Sequence, residues 1–351
     1  MKILDPIWEL LTYDIGIDLG TANTLVYLRG KGIVMSEPSV VAIDKKTNRV
    51  LSVGNDARQM IGRTPANVVA VRPLRDGVIT DFDTTQAMVR HFIQTSHRYV
   101  QNMMKLPKPR VIVGVPSSVT EVERQAVIDA CKIAGAREVF IVEEAMAAAI
   151  GAGLPVEQAS GSMIVDIGGG TSDIVVLSLG DIVVDKTIRI AGDEMDQDII
   201  NYIRDKYNLL IGERTAEDLK IAIGSASDLP EEKTVIVQGR DLISGLPKSI
   251  EFSSIEAREA IMNSIDMITD AVKDAIEETP PELLTDLFSS GIHIAGGGAL
   301  IKGLDKMWEK ELKIPVKVVD DPLSAVARGT ALMLDHIELL EKIQKSWDEI
   351  V

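Results

Sequence analysis

Two segments of this chain carry the same small set of chemically useful residues at the same spacing. Residues 15–28 read IGIDLGTANTLVYL and residues 163–177 read MIVDIGGGTSDIVVL. Aligning Asp18 with Asp166 also aligns Gly20 with Gly168. Each copy is an apolar run, then Asp-x-Gly with small polar residues, then a second apolar run, which is the pattern of a β-hairpin with a glycine-bearing tip. Small residues at such a tip let backbone N–H groups approach phosphate oxygens closely, and a Thr or Ser hydroxyl adds a donor. That makes Gly20, Thr21, Ala22 and Asn23 candidate phosphate ligands in the first copy, and Gly168, Gly169, Gly170 and Thr171 in the second. Asp18 and Asp166, just before the turns, suit a hydrated Mg²⁺ held through water. One copy alone reads equally well as a hairpin with an incidental Asp. Two copies at the same spacing favour a site.

A third glycine cluster, Gly296–Gly297–Gly298, follows the apolar run Ile292–Ala295 and precedes a helix-like stretch, Ala299–Leu312. A strand–glycine–helix junction lets a flat base or an α-phosphate lie against bare backbone at a helix N-terminus. No GxxxxGK[ST] is present, and no GxGxxG follows a strand at a helix start, so the P-loop and dinucleotide-binding patterns are both absent.

These elements need a scaffold of two lobes. The chain has 351 residues, 46% hydrophobic and 26% charged, long for one core and short for three. Aromatics make up only 4%, so the cores rest on Ile, Val, Leu, Ala and Met. The single cysteine, Cys131, excludes a disulfide framework and lies in an apolar helix-like stretch, where it reads as packing. The formal charge of −16 argues against nucleic acid as a partner. No apolar run approaches the ~20 residues of a membrane span, and the start lacks the features of a secretory signal.

Two segments nevertheless have a membrane-interface pattern. In MKILDPIWELLTYD, Ile3, Leu4, Ile7, Trp8, Leu10 and Leu11 fall at near-helical spacing, and Asp5–Pro6 suits a helix start. A terminal segment packed on the core is the alternative. The second segment, Tyr99–Leu106, carries Met103 and Met104. It sits inside a stretch between Asp83 and Glu121 that holds Arg90, Arg98, Lys105, Lys108 and Arg110 but no acidic residue.

Read in order, the Asp-x-Gly-Thr hairpin, VPSSVTEVERQAV, EEAMAAAIGAG, DIGGGTSD and AGGGALIKGL resemble the actin–Hsp70–sugar kinase superfamily. Within it the chain looks most like the MreB (rod-shape) family of bacterial actins. The strings that carry this include IGRTPANVVAVRPLRDGVITDF (61–82), IRIAGDEMD (188–196), LLIGERTAEDLK (209–220), GRDLISGLP (239–247) and TPPELLTD (279–286). The resemblance implies an α/β, actin-like ATPase fold: two lobes, each a ribonuclease H-like five-stranded mixed sheet flanked by helices, with a nucleotide cleft between them. It also implies four subdomains: 1–41, 75–158 and 328–351; 42–74; 159–194 and 259–327; and 195–258.

The same resemblance implies ATP and Mg²⁺ as ligands and a slow ATPase. Glu144 takes the place of the residue that organises the attacking water, and Glu143 beside it is the alternative. Thr171 would orient the same water or contact the γ-phosphate. Asp193, Glu217 and Lys220 would lie near ribose and adenine, with Gly297 and Gly298 closing the base pocket. For Glu217 and Lys220, three apart on an amphipathic helix, a solvated pair is the alternative. Ala145 stands where the family commonly has Pro, which puts the hydrolysis rate in doubt more than nucleotide binding.

As a bacterial actin the chain would polymerise, by resemblance into antiparallel double protofilaments. They would lie peripherally at the cytoplasmic face of the inner membrane, touching lipid through Ile3, Leu4, Ile7, Trp8, Leu11, Met103 and Met104. They would guide membrane proteins of the cell-wall elongation machinery. A non-polymerising paralogue is the nearest alternative; a small-molecule kinase or an Hsp70-like ATPase would need a substrate pocket or a peptide-binding domain that the sequence does not suggest.

Overall fold

The computed structural model describes residues 12–75, 77–100 and 108–334. The chain forms two compact units, one from residues up to 154 together with the chain from 324 onward, the other from 155–323.

In the first unit the strands are β1 (Asp14–Leu19), β2 (Asn23–Leu28), β3 (Gly32–Pro38), β4 (Val41–Asp44), β5 (Arg49–Val53), β6 (Val68–Val71), β7 (Leu74–Arg75), β8 (Val78–Ile79), β9 (Arg110–Val115) and β10 (Glu138–Glu143). Its main sheet has the order β10-β9-β1-β2-β3. β1, β9 and β10 run parallel, and β2 and β3 return antiparallel. β9 (RVIVGV) is buried throughout, as a strand covered on both faces must be. One face of β1 and β9, carrying Ile15, Ile17, Val111 and Val113, packs with Met88 and Phe92 of the helix Phe82–Arg98 and Val127 of the helix Glu121–Ala134.

Both helices start on side-chain caps. The Asp81 carboxylate accepts the Thr84 N–H at 3.1 Å, and Thr120 with Glu123 forms a capping box. Gly135, at φ 113°, ends the second. Cys131 lies within it, fully buried.

The opposite face of the sheet meets the helices Glu144–Gly151 and Ala325–Met333, which touch along glycines. A Cβ on Gly151 would lie 1.9 Å from the Ala325 carbonyl oxygen, and one on Gly329 would lie 1.7 Å from that of Ala147. β4, β5 and β6 form a small separate sheet, and β7 and β8 a two-stranded one.

The second unit contains β11 (Ser162–Ile167), β12 (Ser172–Ser178), β13 (Asp181–Ile188), β14 (Leu209–Leu210), β15 (Thr234–Asp241), β16 (Pro247–Ser253), β17 (Ile292–Ala295) and β18 (Val316–Val318). Its main sheet, β13-β12-β11-β17-β18, repeats the first. Two antiparallel hairpin strands follow the first strand, and two later strands join its other side in parallel. The sequence repeat is thus a repeat of topology, and both lobes have the five-stranded mixed sheet flanked by helices that the resemblance implies. The helices Gly192–Tyr207, Glu213–Ile223, Ser254–Glu278, Pro281–Ser290 and Leu304–Leu312 complete the unit, and β14, β15 and β16 form its small sheet. Trp308 is fully buried, its Nε1–H donating to Thr269 Oγ1 at 2.8 Å.

The helix expected over Ala299–Leu312 is shorter. Gly297–Leu300 forms a single 3₁₀ turn, and the α-helix begins only at Leu304. Gly303 has φ 78°, and a Cβ there would lie 1.9 Å from Ser227 Oγ, so the chain leaves helical geometry to pack against the 225–227 loop. The glycine cluster therefore stands at the start of one 3₁₀ turn and not at an α-helix N-terminus.

Candidate functional site

The two Asp-x-Gly tips have the same construction, each within its own unit. Leu19 pairs with Thr24, and Ile167 pairs with Ser172, so the intervening loops have equal length. Asp18 stands opposite Leu25, and Asp166 opposite Asp173. In the second loop the Gly168 N–H donates to the Thr171 carbonyl at 2.9 Å. A Cβ on Gly168 would approach that carbonyl to 3.3 Å, and one on Gly20 would approach the matching Asn23 carbonyl to 2.6 Å. The glycine is needed because the tip folds back onto its own backbone, and the loop N–H groups are then presented together.

In the first unit the tip is braced from outside. The Ser39 hydroxyl donates to the Gly20 carbonyl at 2.5 Å, and the Ser39 N–H donates to the Ala22 carbonyl at 2.9 Å. The Thr21 hydroxyl accepts the Gly77 N–H at 3.2 Å. Thr21 is buried, whereas Ala22 and Asn23 are part-exposed. Burial pushes the Asp18 carboxyl up to about 7.

Glu144 is brought to the same sheet face as Asp18. Asp18 pairs with Gly114 in the parallel register of β1 and β9. A Cβ on Gly114 would lie 3.3 Å from Glu144 Cγ, so the absence of a side chain at 114 is what lets the glutamate settle there. Glu144 is the first residue of its helix and is 9% exposed. Glu143 is the extended residue before that helix, paired on β10 with Val115. Ala145 is buried in the first helical turn.

In the second unit the expected residues gather around the β11–β12 tip. The Gly192 N–H donates to the Gly168 carbonyl at 3.2 Å and the Asp193 N–H to the Gly169 carbonyl at 2.8 Å, so the helix Gly192–Tyr207 is tied by its first turn to the loop. Lys220 reaches the same turn, its Nζ donating to the Gly192 carbonyl at 2.5 Å. It also lies 2.9 Å from Asp196 Oδ1. Lys220 is therefore engaged by the loop-bearing helix, and Glu217, one turn before it, is half-buried. Thr171 is buried at the end of the loop.

The glycine cluster joins them from β17. A Cβ on Gly296 (φ 77°) would lie 2.3 Å from Asp166 Oδ1, and one on Gly298 would lie 2.2 Å from Ile167 Cγ2. Gly297 is exposed beside them, with Leu323 its nearest neighbour.

Three residues of this neighbourhood were not singled out from the sequence. Gly114 looks like any strand glycine until its neighbours are known. Asp196 reads as one more acid on a helix. Asp173 lies beyond the loop yet stands directly across the ladder from Asp166, with its Oδ1 accepting from Thr187 at 2.6 Å. Its place in the aligned repeat, where the first copy has Leu25, was the available clue.

The residues fit a hydrated Mg²⁺. Each unit offers one buried or half-buried carboxylate before a tip, and no group of three or more metal-ligating side chains occurs among the described residues. Mg²⁺ is commonly held that way, by one or two carboxylates, water and substrate phosphates rather than by a protein cage. The candidate membrane residues Ile3, Leu4, Ile7, Trp8, Leu11, Met103 and Met104 lie outside the described residues. No helix among the described residues is long and apolar enough to cross a membrane.

Comparison with known proteins converges on one family. The family model described as MreB/Mbl protein matches residues 12–342. Cell shape-determining protein Mbl of Bacillus subtilis (strain 168) is 50% identical over 329 residues, covering 94% of this chain and 98% of its own. Cell shape-determining protein MreB of Escherichia coli (strain K12) is 49% identical over 334 residues, covering 94% and 95%. Among solved structures, MreB5 of Spiroplasma citri bound to ADP superposes with a TM-score of 0.88 at 41% identity, covering 95% of this chain and 98% of that one. The same protein bound to AMPPNP gives 0.87.

Proposed function

The chain belongs to the MreB/Mbl protein family, and from that premise we propose that it is a membrane-associated, ATP-dependent bacterial actin that polymerises and determines cell shape. The observation that carries the reading is the duplicated tip: two Asp-x-Gly loops of equal length and matching register, one per unit, in a chain about half identical to cell shape-determining proteins.

In this reading the backbone of Gly20–Asn23 and of Gly168–Thr171 holds the phosphates, and Asp18 and Asp166 hold Mg²⁺ through its waters. When bound, the metal neutralises charge on the phosphate oxygens. Glu144 orients a water for attack on the γ-phosphate, a task that needs position more than basicity. Its burial against Gly114 supports such a fixed position. Thr171 orients the same water or contacts the γ-phosphate. Asp193, Glu217 and Lys220 line the nucleoside end, with Gly297 and Gly298 beside the base. The subdomain division belongs to this reading, with 42–74 and 195–258 as the small members.

Membrane attachment is supported by where the chain enters the described residues. β1 and β9 lie side by side in parallel, with Asp14 opposite Arg110. Tyr13 and Pro109, which lead into β1 and β9, therefore stand at the same end of the sheet, where Tyr13 stacks on His97 at 5.5 Å between centroids. Apolar insertion at one such edge binds weakly, and a filament presenting many copies converts it into stable attachment. The filament would be an antiparallel pair and its partners the membrane proteins of cell-wall elongation.

Sedimentation with Mg-ATP, with and without anionic liposomes, tests the reading beside Asp166→Ala. Nucleotide- or lipid-dependent pelleting that the substitution abolishes is expected. A protein that binds ATP but stays soluble under every condition would overturn the polymerising role and make a regulatory paralogue the better reading.

A further inference from the structure

Lys220 is held in an arrangement that the nucleotide reading does not by itself require. Its Nζ has three N–H donors. One goes to the Gly192 carbonyl at 2.5 Å, and the ammonium forms an ion pair with Asp196 Oδ1 at 2.9 Å. Both side chains are nearly buried, at 13% and 9% exposure. The ammonium lies 3.2 Å from where a Gly192 Cβ would be, and that same point lies 3.2 Å from the Gly168 carbonyl. Lys220 is thus pinned into the turn whose N–H groups hold the second phosphate loop.

Resting on the nucleotide reading above, we propose that Asp196 is the positioning residue of the nucleoside end: it holds the Lys220 ammonium so that a further N–H faces the nucleotide. A lysine this buried keeps its charge and its place only if a counter-ion compensates its desolvation. Asp196, one turn along the helix that Lys220 touches, is that counter-ion. Without it Lys220 swings to solvent or gives up its proton, and the nucleotide loses a donor.

The charges facing this carboxylate are Lys220, Glu217 and Asp193. Burial raises Asp196 to about 6, more than Lys220 lowers it, and Glu217 and Asp193 raise it further. Protonation of Asp196 removes the negative charge that holds Lys220, so acid should release the ammonium. The sign is definite: affinity is full above the carboxyl's value and declines as pH falls through it. With a midpoint near 6, only about one molecule in eleven is competent at pH 5, an approximately tenfold loss.

The test is fluorescent-ADP affinity from pH 5 to pH 8 for the wild type and Asp196→Asn, without Mg²⁺. The nucleotide's own phosphate titrates in this range, so the quantity read is the difference between the two proteins. The expected result is weaker binding by the variant at pH 7.5, by about fivefold to tenfold, with the difference vanishing near pH 5. Asp196→Glu should restore the acid limb, which a purely structural role would not predict. Parallel pH profiles, or equal affinity at pH 7.5, would overturn the positioning role while leaving nucleotide binding intact. A wild-type protein that binds no ADP at any pH would overturn both. If Asp196→Asn does not fold, as read by its thermal transition, Lys220→Met serves instead. It must lose the same acid limb, and retention of that limb would refute the proposal.

Discussion

Gly329→Ala is the substitution whose consequence follows most directly from the helix packing. Gly329 lies inside the helix Ala325–Met333, and its added methyl would stand 1.7 Å from the Ala147 carbonyl oxygen. Carbon–oxygen contacts settle at about 3.3–3.6 Å, so the two helices must separate by almost 2 Å or bend. Overpacking costs up to about 3 kcal/mol, while alanine's better helix propensity returns about 1. The net loss is about 2 kcal/mol, or a fall in Tm of about 4–8 °C for a unit of this size. The displaced partner is the helix that begins at Glu144, so the second effect is on chemistry. A misplacement of about 1 Å can cost a hundredfold in rate, whereas nucleotide affinity should change much less. Circular-dichroism melting without nucleotide, together with phosphate release and ADP titration at 25 °C, reads all three quantities. A variant with wild-type Tm and wild-type turnover would refute both the close helix contact and the placement of Glu144 that depends on it.

Two further outcomes follow from the same geometry. Gly296→Ala forces a positive φ on alanine and drives its methyl against Asp166 Oδ1 and the Ile167 carbonyl, both at 2.3 Å; Mg²⁺ should then strengthen ADP binding at least tenfold less than in the wild type, measured by ADP titration with and without the metal. Burial pushes the Cys131 thiol up to about 12, so at pH 8 only about one thiol in ten thousand is ionised; a thiol reagent should leave the native protein unmodified for hours and label it promptly in denaturant, and rapid native labelling would contradict the packing.

The repeat was a local signal, and it carried the two matching five-stranded sheets. The hairpins at Asp18 and Asp166 are visible because both strands and the turn lie within a few residues of each other. The helix expected from Ala299 failed where the deciding contact is distant, since only the packing of Gly303 against Ser227 breaks it. Whether Glu217 and Lys220 form a solvated pair was undecidable from spacing for the same reason: it turned on a neighbour on another helix, Asp196, which pairs with Lys220.

The sequence by itself determined the chemistry on offer: two small-residue tips each preceded by a carboxylate, a glycine cluster after a strand, and family strings spread over almost the whole chain. A motif determines this because residue type and turn geometry are properties of a short stretch. Only the tertiary structure decided which side chains share a face and how far each is from water. It seated Glu144 over Gly114, tied Asp193 to the second loop, and gave Lys220 to Asp196 rather than to Glu217 or solvent. Those outcomes depend on close approach between elements separated by tens of residues. Burial and charge pairing arise only from that approach, and no local pattern encodes them.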